Sequence, residues 1–269
     1  MKIIVLGNGN AGSYIHSYLS KYFKCKLFTR KDFNAIDTDF SFIKNCINSD
    51  DVVINCVGIL KPKILSVGVE NTFLTNSVFP NKLYEICKHN NAHFIHICSD
   101  CVFKGDKGNY TEDSLTDATD IYAVSKSLVK NGIIIRTSFI GENSGLLKWL
   151  ISNKNNVIDG YDNCLWNGIT ALELAKFIEK IINFKLFNEK IIHIFSDKIY
   201  SKYELCMLIN KVYNLNIKVN KVSAKTIEGT KINKVLNRSL KSNKHYFNLI
   251  NRNLKKQLIE TKSFNINNI

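Results

Sequence analysis

The stretch KIIVLGNGNAG, residues 2–12, decides the fold. After its lysine come four apolar residues in a row, which is typical of a buried strand. Helical apolar spacing follows over residues 11–22. Gly7, Gly9 and Gly12 connect the two in the pattern G-x-G-x-x-G. A strand, a glycine turn and a helix in this order predict the first unit of a doubly wound α/β sheet.

Apolar runs and amphipathic stretches alternate along the rest of the chain. Further strands are predicted at Lys26–Thr29, Val52–Val57, Phe94–Cys98, Gly132–Arg136 and Ile191–Phe195. Further helices are predicted at Asn71–His89 (kinked at Pro80), Tyr122–Lys130, Gly145–Asn153, Ile169–Phe184 and Ser201–Tyr213. The last of these helices begins with a capping box of Ser201 and Glu204. Continuous apolar strands separated by helices indicate a parallel sheet covered on both faces.

Composition excludes several classes of protein. A chain of 269 residues, 45% hydrophobic, with mean hydropathy −0.09, has the composition of a globular protein. No apolar run approaches the ~20 residues of a membrane span, so we expect no membrane partner. Strand-like sequence begins at residue 2 and leaves no room for a signal peptide, which favours a cytoplasmic location. The charge of +14 comes from lysines spread along the chain, so no nucleic-acid partner is expected.

Eight cysteines in a chain of this length do not indicate a disulfide framework. Cys56, Cys87 and Cys98 lie in apolar runs, where a reduced cysteine packs as a small hydrophobic residue. Cys98 and Cys101 form a lone C-x-x-C, which without a second pair is weak support for metal binding. We therefore expect no metal.

The glycine motif is the fingerprint of a dinucleotide site. Gly7 makes the tight turn, Gly9 lets the backbone approach a pyrophosphate, and Gly12 lets the helix pack against the sheet. The phosphates would lie at the start of the helix, at Asn10 and Ala11, where unpaired N–H groups favour negative charge.

The end of the second predicted strand bears on the choice between NADP and NAD. It reads Thr29-Arg30-Lys31, and two cations suit the 2′-phosphate of NADP, whereas an acid would suit the free ribose of NAD. We therefore expect NADP(H) to be preferred over NAD(H), with Arg30 and Lys31 as ligands. Asp32 lies just beyond and leaves NAD(H) open.

A tyrosine and a lysine four residues apart, Tyr122 and Lys126, share one face of a predicted helix. A nearby ammonium lowers the pKa of a tyrosine, which can then pass its proton to a carbonyl oxygen as hydride arrives at carbon. Ser99 ends an earlier strand, at the edge of the sheet where ligands bind, and its hydroxyl would orient the same carbonyl. These residues predict an NAD(P)H-dependent oxidoreductase with Ser99, Tyr122 and Lys126 as catalytic residues.

Eight segments of the chain resemble the dTDP-4-dehydrorhamnose reductase family of extended short-chain dehydrogenases. They are NCVG (55–58), NSVFP (76–80), CSDCVFKG (98–105), GNYTED (108–113), YAVSK (122–126), RTSFIG (136–141), WNGIT (166–170) and NRSL (237–240). The glycine motif departs from the family pattern, which usually has one more residue between the first two glycines. The C-terminal region also departs from it.

The resemblance implies both an architecture and a domain division. We expect an α/β fold: a doubly wound parallel sheet (Rossmann) with a smaller C-terminal substrate-binding lobe. Residues 1–140 are expected to form the NAD(P)-binding domain, to which residues 169–195 return. Residues 141–168 and 196–269 are expected to form the substrate-binding lobe, ending in a frayed basic tail. A nucleotide sugar is the expected partner, and a homodimer is left open.

The resemblance also implies a reaction. NADPH would reduce the C4 keto group of a 4-keto-6-deoxyhexose carried on dTDP or UDP, in nucleotide-sugar biosynthesis. Tyr122 would donate the proton, Lys126 would hold the nicotinamide ribose, and Ser99 would bond to the substrate oxygen. Further residues implied at the cofactor are Asn55, Cys56, Val57, Gly58 and Asn76. Those implied at the substrate are Asp100, Cys101, Trp166, Asn167 and Arg238, with Arg238 a candidate for the pyrophosphate.

Cys101 suggests a second chemistry. Similar enzymes, among them GDP-fucose synthase, carry a cysteine two residues after the catalytic serine, where it exchanges protons on carbons beside the keto group. A thiolate of depressed pKa can abstract such a proton. The hypothesis is that the chain epimerises C3 or C5 before reducing C4, with Lys148 as the second acid.

Two other interpretations stay open. The chain is alternatively an epimerase or dehydratase of the same superfamily, although a dehydratase normally needs an acidic pair and Ser99-Asp100-Cys101 offers one acid. It is alternatively a non-catalytic NADP-binding regulatory subunit, resembling that of methionine adenosyltransferase. The intact Ser99, Tyr122 and Lys126 favour an enzyme.

Overall fold

Six parallel strands form the central sheet in the computed structural model, which describes residues 1–37, 39–227, 230–231, 235–244 and 246–266. They are β1 (Ile3–Leu6), β2 (Cys25–Phe28), β3 (Val52–Asn55), β4 (His93–Ser99), β5 (Ile133–Thr137) and β6 (Ile191–His193). Their order across the sheet is β6-β5-β4-β3-β1-β2. The chain runs outward from β1 to β2 and then returns to β3 on the other side of β1. This reversal confirms the doubly wound sheet and places a ligand crevice at the carboxyl ends of β1 and β3.

The longer helices cover this sheet and continue beyond it. They are α1 (Asn10–Leu19), α2 (Phe79–His89), α3 (Ile121–Ser127), α4 (Gly145–Ser152), α5 (Ala171–Asn183), α6 (Lys202–Tyr213) and α7 (Leu254–Ser263). Shorter helical turns occupy Ser41–Lys44, Lys61–Lys63, Ile64–Val67, Val69–Phe73, Leu74–Val78, Asp100–Val102 and Tyr246–Leu249. Among the residues described, no helix is both long enough and apolar enough to cross a membrane.

Strands β1, β3 and β5 are buried along their whole length, which explains their largely apolar sequences, whereas the edge strand β2 exposes Lys26. Along β1, Ile3 and Val5 pack in the same cluster as residues of α1 and α5. Ile4 and Leu6 alternate to the opposite face, where they pack with residues of α2. The edge at which these strands end is therefore presented by a rigid sheet whose central strands are covered.

The C-terminal part of the chain forms small sheets beside the central one. Tyr200–Ser201, Cys164–Trp166 and Leu236–Asn237 form a three-stranded sheet. The remaining pairs are Val157–Tyr161 with Lys218–Val222, Thr226–Ile227 with Thr230–Lys231, and Phe139–Ile140 with Ile169–Thr170. A second apolar core joins α4, α6 and α7. The domain boundaries given above stay a prediction.

The segment predicted as a helix over residues 71–89 is helical throughout and contains an irregular stretch before Pro80. Residues Leu74–Val78 form a wide, π-type turn between Val69–Phe73 and α2. Pro80 lies in the first turn of α2, where its missing N–H costs no helical hydrogen bond, so the irregularity precedes the proline. Such turns occur frequently at functional sites.

Residues 254–263 form a helix that was not predicted. In this helix, α7, Leu254 and Leu258 are completely buried against α4 and α6. Three of the ten residues of α7 are lysines, so its basic composition gave little indication of an amphipathic helix. The apolar side of the helix is recognisable only once it packs against the second core. The predicted end of the chain, residues 267–269, lies outside the described residues.

Candidate active site

The glycine turn after β1 has the backbone that its sequence predicts. Gly7 adopts a positive φ of 90°, which favours glycine. Its N–H donates to the carbonyl of Phe28, which ties the turn to β2. A side-chain carbon at Gly12 would overlap the carbonyl oxygen of Gly7. The start of α1, which has no acidic residue in its first turn, is thereby held open at the sheet edge.

A cleft of about 620 Å³ lies at this edge. Its lining residues are Gly7, Asn8, Gly9, Arg30, Phe33, Asn34, Ala35, Ile36, Cys56, Val57, Gly58, Ile59, Val67, Asn71 and Thr75. The size of the cleft and the exposed helix start fit a dinucleotide. Six of the predicted cofactor residues therefore line one cleft: Gly7, Gly9, Arg30, Cys56, Val57 and Gly58.

The other predicted cofactor residues, among them Asn55, Tyr122 and Lys126, do not line the cleft. Ala11 and Gly12 are buried inside α1, and Lys31 is exposed outside it. Asn10 turns away and donates through Nδ2 to the carbonyl of Ser144, 3.4 Å distant. Asn76 is buried and bonds the backbone of Ile59, accepting from its N–H at 2.7 Å. Asn10 and Asn76 thus shape the site from behind.

The loop after β2 separates its acid from its cations. The Asp32 carboxylate accepts from the Thr29 N–H at 2.7 Å and from the Thr29 hydroxyl at 3.0 Å. These bonds lower the pKa of Asp32 and direct its carboxylate into its own turn. Arg30 lines the cleft, whereas Asp32 and Lys31 do not.

Ser99 and Tyr122 meet at the end of β4. The Ser99 hydroxyl donates to Asp100 Oδ1 at 3.2 Å and accepts from the Cys101 N–H at 3.0 Å, and the Ser99 side chain is close enough to Tyr122 to act on its pKa. Asp120 caps α3 by accepting from the Ala123 N–H at 3.1 Å, which places Tyr122 in the first turn. Burial raises the pKa of Tyr122 well above its usual value, and Ser99 only partly opposes this. Tyr122 is therefore a protonated phenol in the resting protein.

Lys126 is turned toward β4 instead of toward Tyr122. Its Nζ lies 3.0 Å from the carbonyl oxygen of Ile97 and 3.2 Å from Nε2 of His96. Burial lowers its pKa. The predicted lowering of the tyrosine pKa by this lysine is not observed, because a buried amine takes the nearest hydrogen-bond partners that the strand offers. His96 was not among the predicted site residues. The sequence shows only that a polar residue interrupts the apolar run FIHIC.

A second cavity, of about 150 Å³, lies beyond Ser99. It is lined by Asp100, Cys101, Ser138, Cys164, Leu165, Trp166, Lys202, Leu236 and Arg238. Four of the predicted substrate residues are thereby brought together: Asp100, Cys101, Trp166 and Arg238. The fifth, Asn167, does not line the cavity. Its buried amide donates to the Leu240 carbonyl and accepts from the Leu240 N–H, so it anchors the backbone.

Charged groups dominate the second cavity. Arg238 donates through Nε to the Phe103 carbonyl at 2.9 Å and through Nη1 to the Cys101 sulfur at 3.9 Å. Burial raises the pKa of Asp100, and the charges of Arg238 and Lys202 oppose that rise. Lys202 was missed by the sequence analysis. It is the first residue of α6, and its ammonium lies 5.4 Å from the centre of the Trp166 ring.

Two further predictions concern groups outside this cavity. Lys148, the proposed second acid, is exposed on α4 and does not line the cavity that holds Cys101. No cluster of three or more histidine, cysteine or acidic side chains suited to a metal ion occurs in the part of the chain that the structure describes.

The doubly wound sheet and its dinucleotide-sized cleft are those of an NAD(P)-dependent oxidoreductase. The family model described as the RmlD substrate binding domain matches residues 1–258. The chain therefore belongs to this family, which confirms the resemblance found in the sequence motifs. No sequence among the curated proteins matches the chain.

Solved structures with the same fold share little sequence with the chain. A dTDP-4-dehydrorhamnose reductase from Bacillus anthracis str. Ames, in complex with NADP, has a TM-score of 0.84 at 18% identity, over 97% of this chain and 98% of that one. One from Clostridium acetobutylicum ATCC 824 has a TM-score of 0.80 at 20% identity, over 98% and 99%. A UDP-glucuronic acid 4-epimerase from Bacillus cereus, in complex with NAD, has a TM-score of 0.69 at 17% identity, over 96% of each chain.

Proposed function

We propose that the protein reduces the C4 keto group of a nucleoside-diphosphate 4-keto-6-deoxyhexose, linked to dTDP or UDP, with NADPH as reductant. The observation that supports this most directly is the placement of Ser99, at the end of β4, close enough to Tyr122 to act on its pKa. Lys126, on the same helix, borders the first cleft at Gly58, where an added side-chain carbon would lie 3.6 Å from its Nζ. Asp100 and Cys101, next in sequence to Ser99, line the second cavity.

Each group of this chain has a role in the proposed reaction. NADPH, when bound, supplies the hydride. Ser99 orients the keto oxygen, and Tyr122 gives it the phenol proton as negative charge develops on that oxygen. Arg238 and Lys202 lie beside this point and suit the anionic nucleoside diphosphate. The raised pKa of Tyr122 supports the direction of reduction, because the donor must carry its proton beforehand.

The preference for NADP(H) over NAD(H) is also part of the proposal. Arg30 lines the cleft after β2, where a 2′-phosphate would lie, while Asp32 is hydrogen-bonded to Thr29. Lys31 contributes only long-range charge in this arrangement, because it is exposed outside the cleft. NADP is bound by the structural neighbour from Bacillus anthracis and NAD by that from Bacillus cereus.

A substrate panel tests the reaction. The purified protein is mixed with NADPH and with UDP- and dTDP-linked 4-keto-6-deoxyhexoses, with and without a 2-acetamido group, and NADPH absorbance is followed. Each sugar is tested with and without an added 3,5-epimerase. Oxidation that requires the epimerase identifies a plain 4-reductase. NADPH binding without oxidation of any sugar contradicts the proposal and favours the non-catalytic regulatory subunit.

Epimerisation before reduction is a second candidate activity, favoured by the contact between Arg238 and Cys101. A guanidinium 3.9 Å from a sulfur stabilises the thiolate, which is the form that abstracts a proton. Lys202 lines the same cavity and replaces the exposed Lys148 as the candidate second acid.

Isotope exchange tests this activity. In heavy water, a keto sugar incubated with the protein is expected to take up deuterium at C3 or C5. Cys101→Ala is expected to abolish the uptake, while NADPH-dependent reduction persists when a 3,5-epimerase is added. Unchanged deuterium uptake in Cys101→Ala would eliminate the role of this cysteine.

A further inference from the structure

A buried line of polar groups runs behind the active site from β3 to α3. Asn55 ends β3, His96 lies in β4, and Lys126 lies in α3. Asn55 Nδ2 lies 3.0 Å from His96 Nδ1, and His96 Nε2 lies 3.2 Å from Lys126 Nζ. Asn55 and His96 are completely buried, and Lys126 is 5% exposed. Asn55 and His96 are therefore out of reach of bulk water, so their hydrogen bonds must be made with buried neighbours.

The orientation of the Asn55 amide determines which ring nitrogen of His96 carries the proton. The Val57 N–H donates to Asn55 Oδ1 at 3.0 Å, so the oxygen side of the amide is identified by its donor. The other side, facing His96, is the NH₂ group, which only donates. His96 Nδ1 must therefore accept and carry no proton. A neutral imidazole has one proton, which is then on Nε2. Burial and the nearby Lys126 lower the pKa of His96 well below its usual value, which excludes the doubly protonated ring.

The protonated Nε2 of His96 faces the amine of Lys126. An ammonium group has three donors and no lone pair, so it would place an N–H against the N–H of His96. A neutral amine has a lone pair that accepts the His96 proton. It keeps two N–H groups, of which one donates to the Ile97 carbonyl, 3.0 Å away. The other is left for the cleft at Gly58.

We propose that His96, oriented by Asn55, holds Lys126 as a neutral amine in the resting protein. Both are positioning residues for the proton transfer at Tyr122, and this inference rests on the proposed reductase function. A neutral amine leaves the Tyr122 phenol protonated, which is the state that a reduction needs at its start.

The other titratable groups around Lys126 are the Cys98 thiol, from β4, and the Cys56 thiol, from the segment after β3. Burial raises the pKa of Cys56 to about 12, so this thiol stays neutral. Tyr122, on the helix of Lys126 itself, is also neutral because its pKa is raised. None of these groups is a carboxylate, so an ammonium at Lys126 would be buried without an acidic partner among them.

Nuclear magnetic resonance of the cofactor-free wild-type protein tests the protonation states directly. Long-range ¹H–¹⁵N spectra are expected to show His96 protonated at Nε2 and unprotonated at Nδ1. In lysine-labelled protein, the Lys126 side chain, assigned by its loss in Lys126→Met, is expected to be neutral at pH 7. A proton on Nδ1, or a Lys126 titration near the ordinary lysine value of about 10.4, would overturn the proposal.

The Asn55→Asp variant tests the orienting role. A carboxylate accepts both from the Val57 N–H and from His96, so the ring proton is expected to move to Nδ1. His96 Nε2 then accepts from Lys126, and the pKa of Lys126 is expected to rise by about one unit or more. The new ammonium lowers the pKa of Tyr122, so the alkaline fall of the reduction rate is expected at lower pH than in the wild type.

The outcomes separate this inference from the proposed function. A rise in the Lys126 pKa with the His96 proton still on Nε2 would be a charge effect alone and would contradict the orienting role. Asn81→Asp, on α2, is the matched control and is expected to leave both groups unchanged. If Asn55→Asp fails to fold, the wild-type spectra decide. Those spectra need no substrate, so inactivity toward every sugar would remove the reductase proposal and leave the protonation result standing.

Discussion

The surroundings of Tyr122 and Arg30 predict a chemical role for each of these side chains. Tyr122 lies beside Ser99 at the end of β4, and burial keeps its hydroxyl protonated. Arg30 lines the cleft, whereas the neighbouring acid, Asp32, is hydrogen-bonded to Thr29. Both residues stand out in the sequence as parts of short motifs. Their partners, by contrast, come from other segments of the chain.

Removing the Tyr122 hydroxyl is expected to remove the proton donor and little else. Tyr122→Phe keeps the buried ring, so kcat/KM for reduction is expected to fall by roughly 10²–10⁴-fold, while the Kd for NADPH stays within about twofold. Steady-state kinetics and fluorescence titration measure the two quantities. The exposed Tyr22 provides the control, since Tyr22→Phe is expected to leave both unchanged. A Tyr122→Phe variant with wild-type kcat/KM would contradict the proposed mechanism.

Truncating Arg30 is expected to weaken NADPH specifically. A lost guanidinium–phosphate contact costs about 1.5–3 kcal/mol, so the Kd for NADPH is expected to rise roughly tenfold or more in Arg30→Ala, with the Kd for NADH nearly unchanged. Lys31→Ala is the matched control, because Lys31 is adjacent and exposed but lies outside the cleft lining. Equal losses for both dinucleotides in Arg30→Ala would refute the 2′-phosphate assignment.

Local signals at the scale of helices and strands located α6 well and the segment before α2 poorly. The capping box of α6 forms as predicted: Ser201 Oγ accepts from the Glu204 N–H at 3.1 Å, and Glu204 accepts from the Ser201 N–H at 2.8 Å. Both bonds close within four residues, so sequence alone contains them. The wide turn at Leu74–Val78 depends on contacts far along the chain, because Asn76 and Ser77 bond to Ser125 in α3.

Removing the α6 cap is expected to reduce stability measurably. Ser201→Ala leaves N–H groups of the first turn without an acceptor, so the free energy of unfolding is expected to fall by about 1 kcal/mol. Urea denaturation followed by circular dichroism measures this change. Ser263→Ala, at the exposed end of α7, removes a hydroxyl that caps no helix start and is expected to change stability by less than about 0.5 kcal/mol. No difference between the two variants would argue against the cap.

A buried cluster of polar residues, formed by His193, Glu112 and Ser242, joins the central sheet to the C-terminal segment. His193, in β6, has its Nδ1 3.1 Å from the carbonyl oxygens of both Tyr110 and Lys241. Glu112 accepts from the His193 N–H at 3.1 Å and from the Ser242 hydroxyl at 2.5 Å. Burial lowers the pKa of His193 to about 4. The hydrogen bonds from Ser242 and the backbone lower the pKa of Glu112 despite its burial.

The polar cluster around His193 predicts a loss of stability in weak acid. Between pH 6.5 and about 4, His193 is protonated in the unfolded chain but stays neutral in the folded protein. The free energy of unfolding is therefore expected to fall as pH falls through this window. Glu112, with its lowered pKa, adds a further loss below its unfolded value of about 4.3. In His193→Asn, whose amide can donate to the same carbonyls, Tm is expected to be lower at pH 7 but flatter between pH 6.5 and 4.5. An equally steep decline in this variant would rule His193 out as the cause.

The sequence by itself determined the features that are written in neighbouring residues. The glycine turn, the alternation of strands and helices, and the shared helix face of Tyr122 and Lys126 all follow from spacing over a few residues. The Ser99 position at the edge of the sheet follows from the same pattern.

Only the tertiary structure decided which side chains meet. It turned Lys126 toward His96, placed Lys202 beside Asp100 and Arg238, and left Asn10, Lys31 and Asn167 outside the cavities. These outcomes depend on segments up to 138 positions apart, as with Asp100 and Arg238, and on the burial that makes a hydrogen-bond partner obligatory for each polar group. Neither the pairing nor the burial is encoded locally, so neither is visible until the chain is folded.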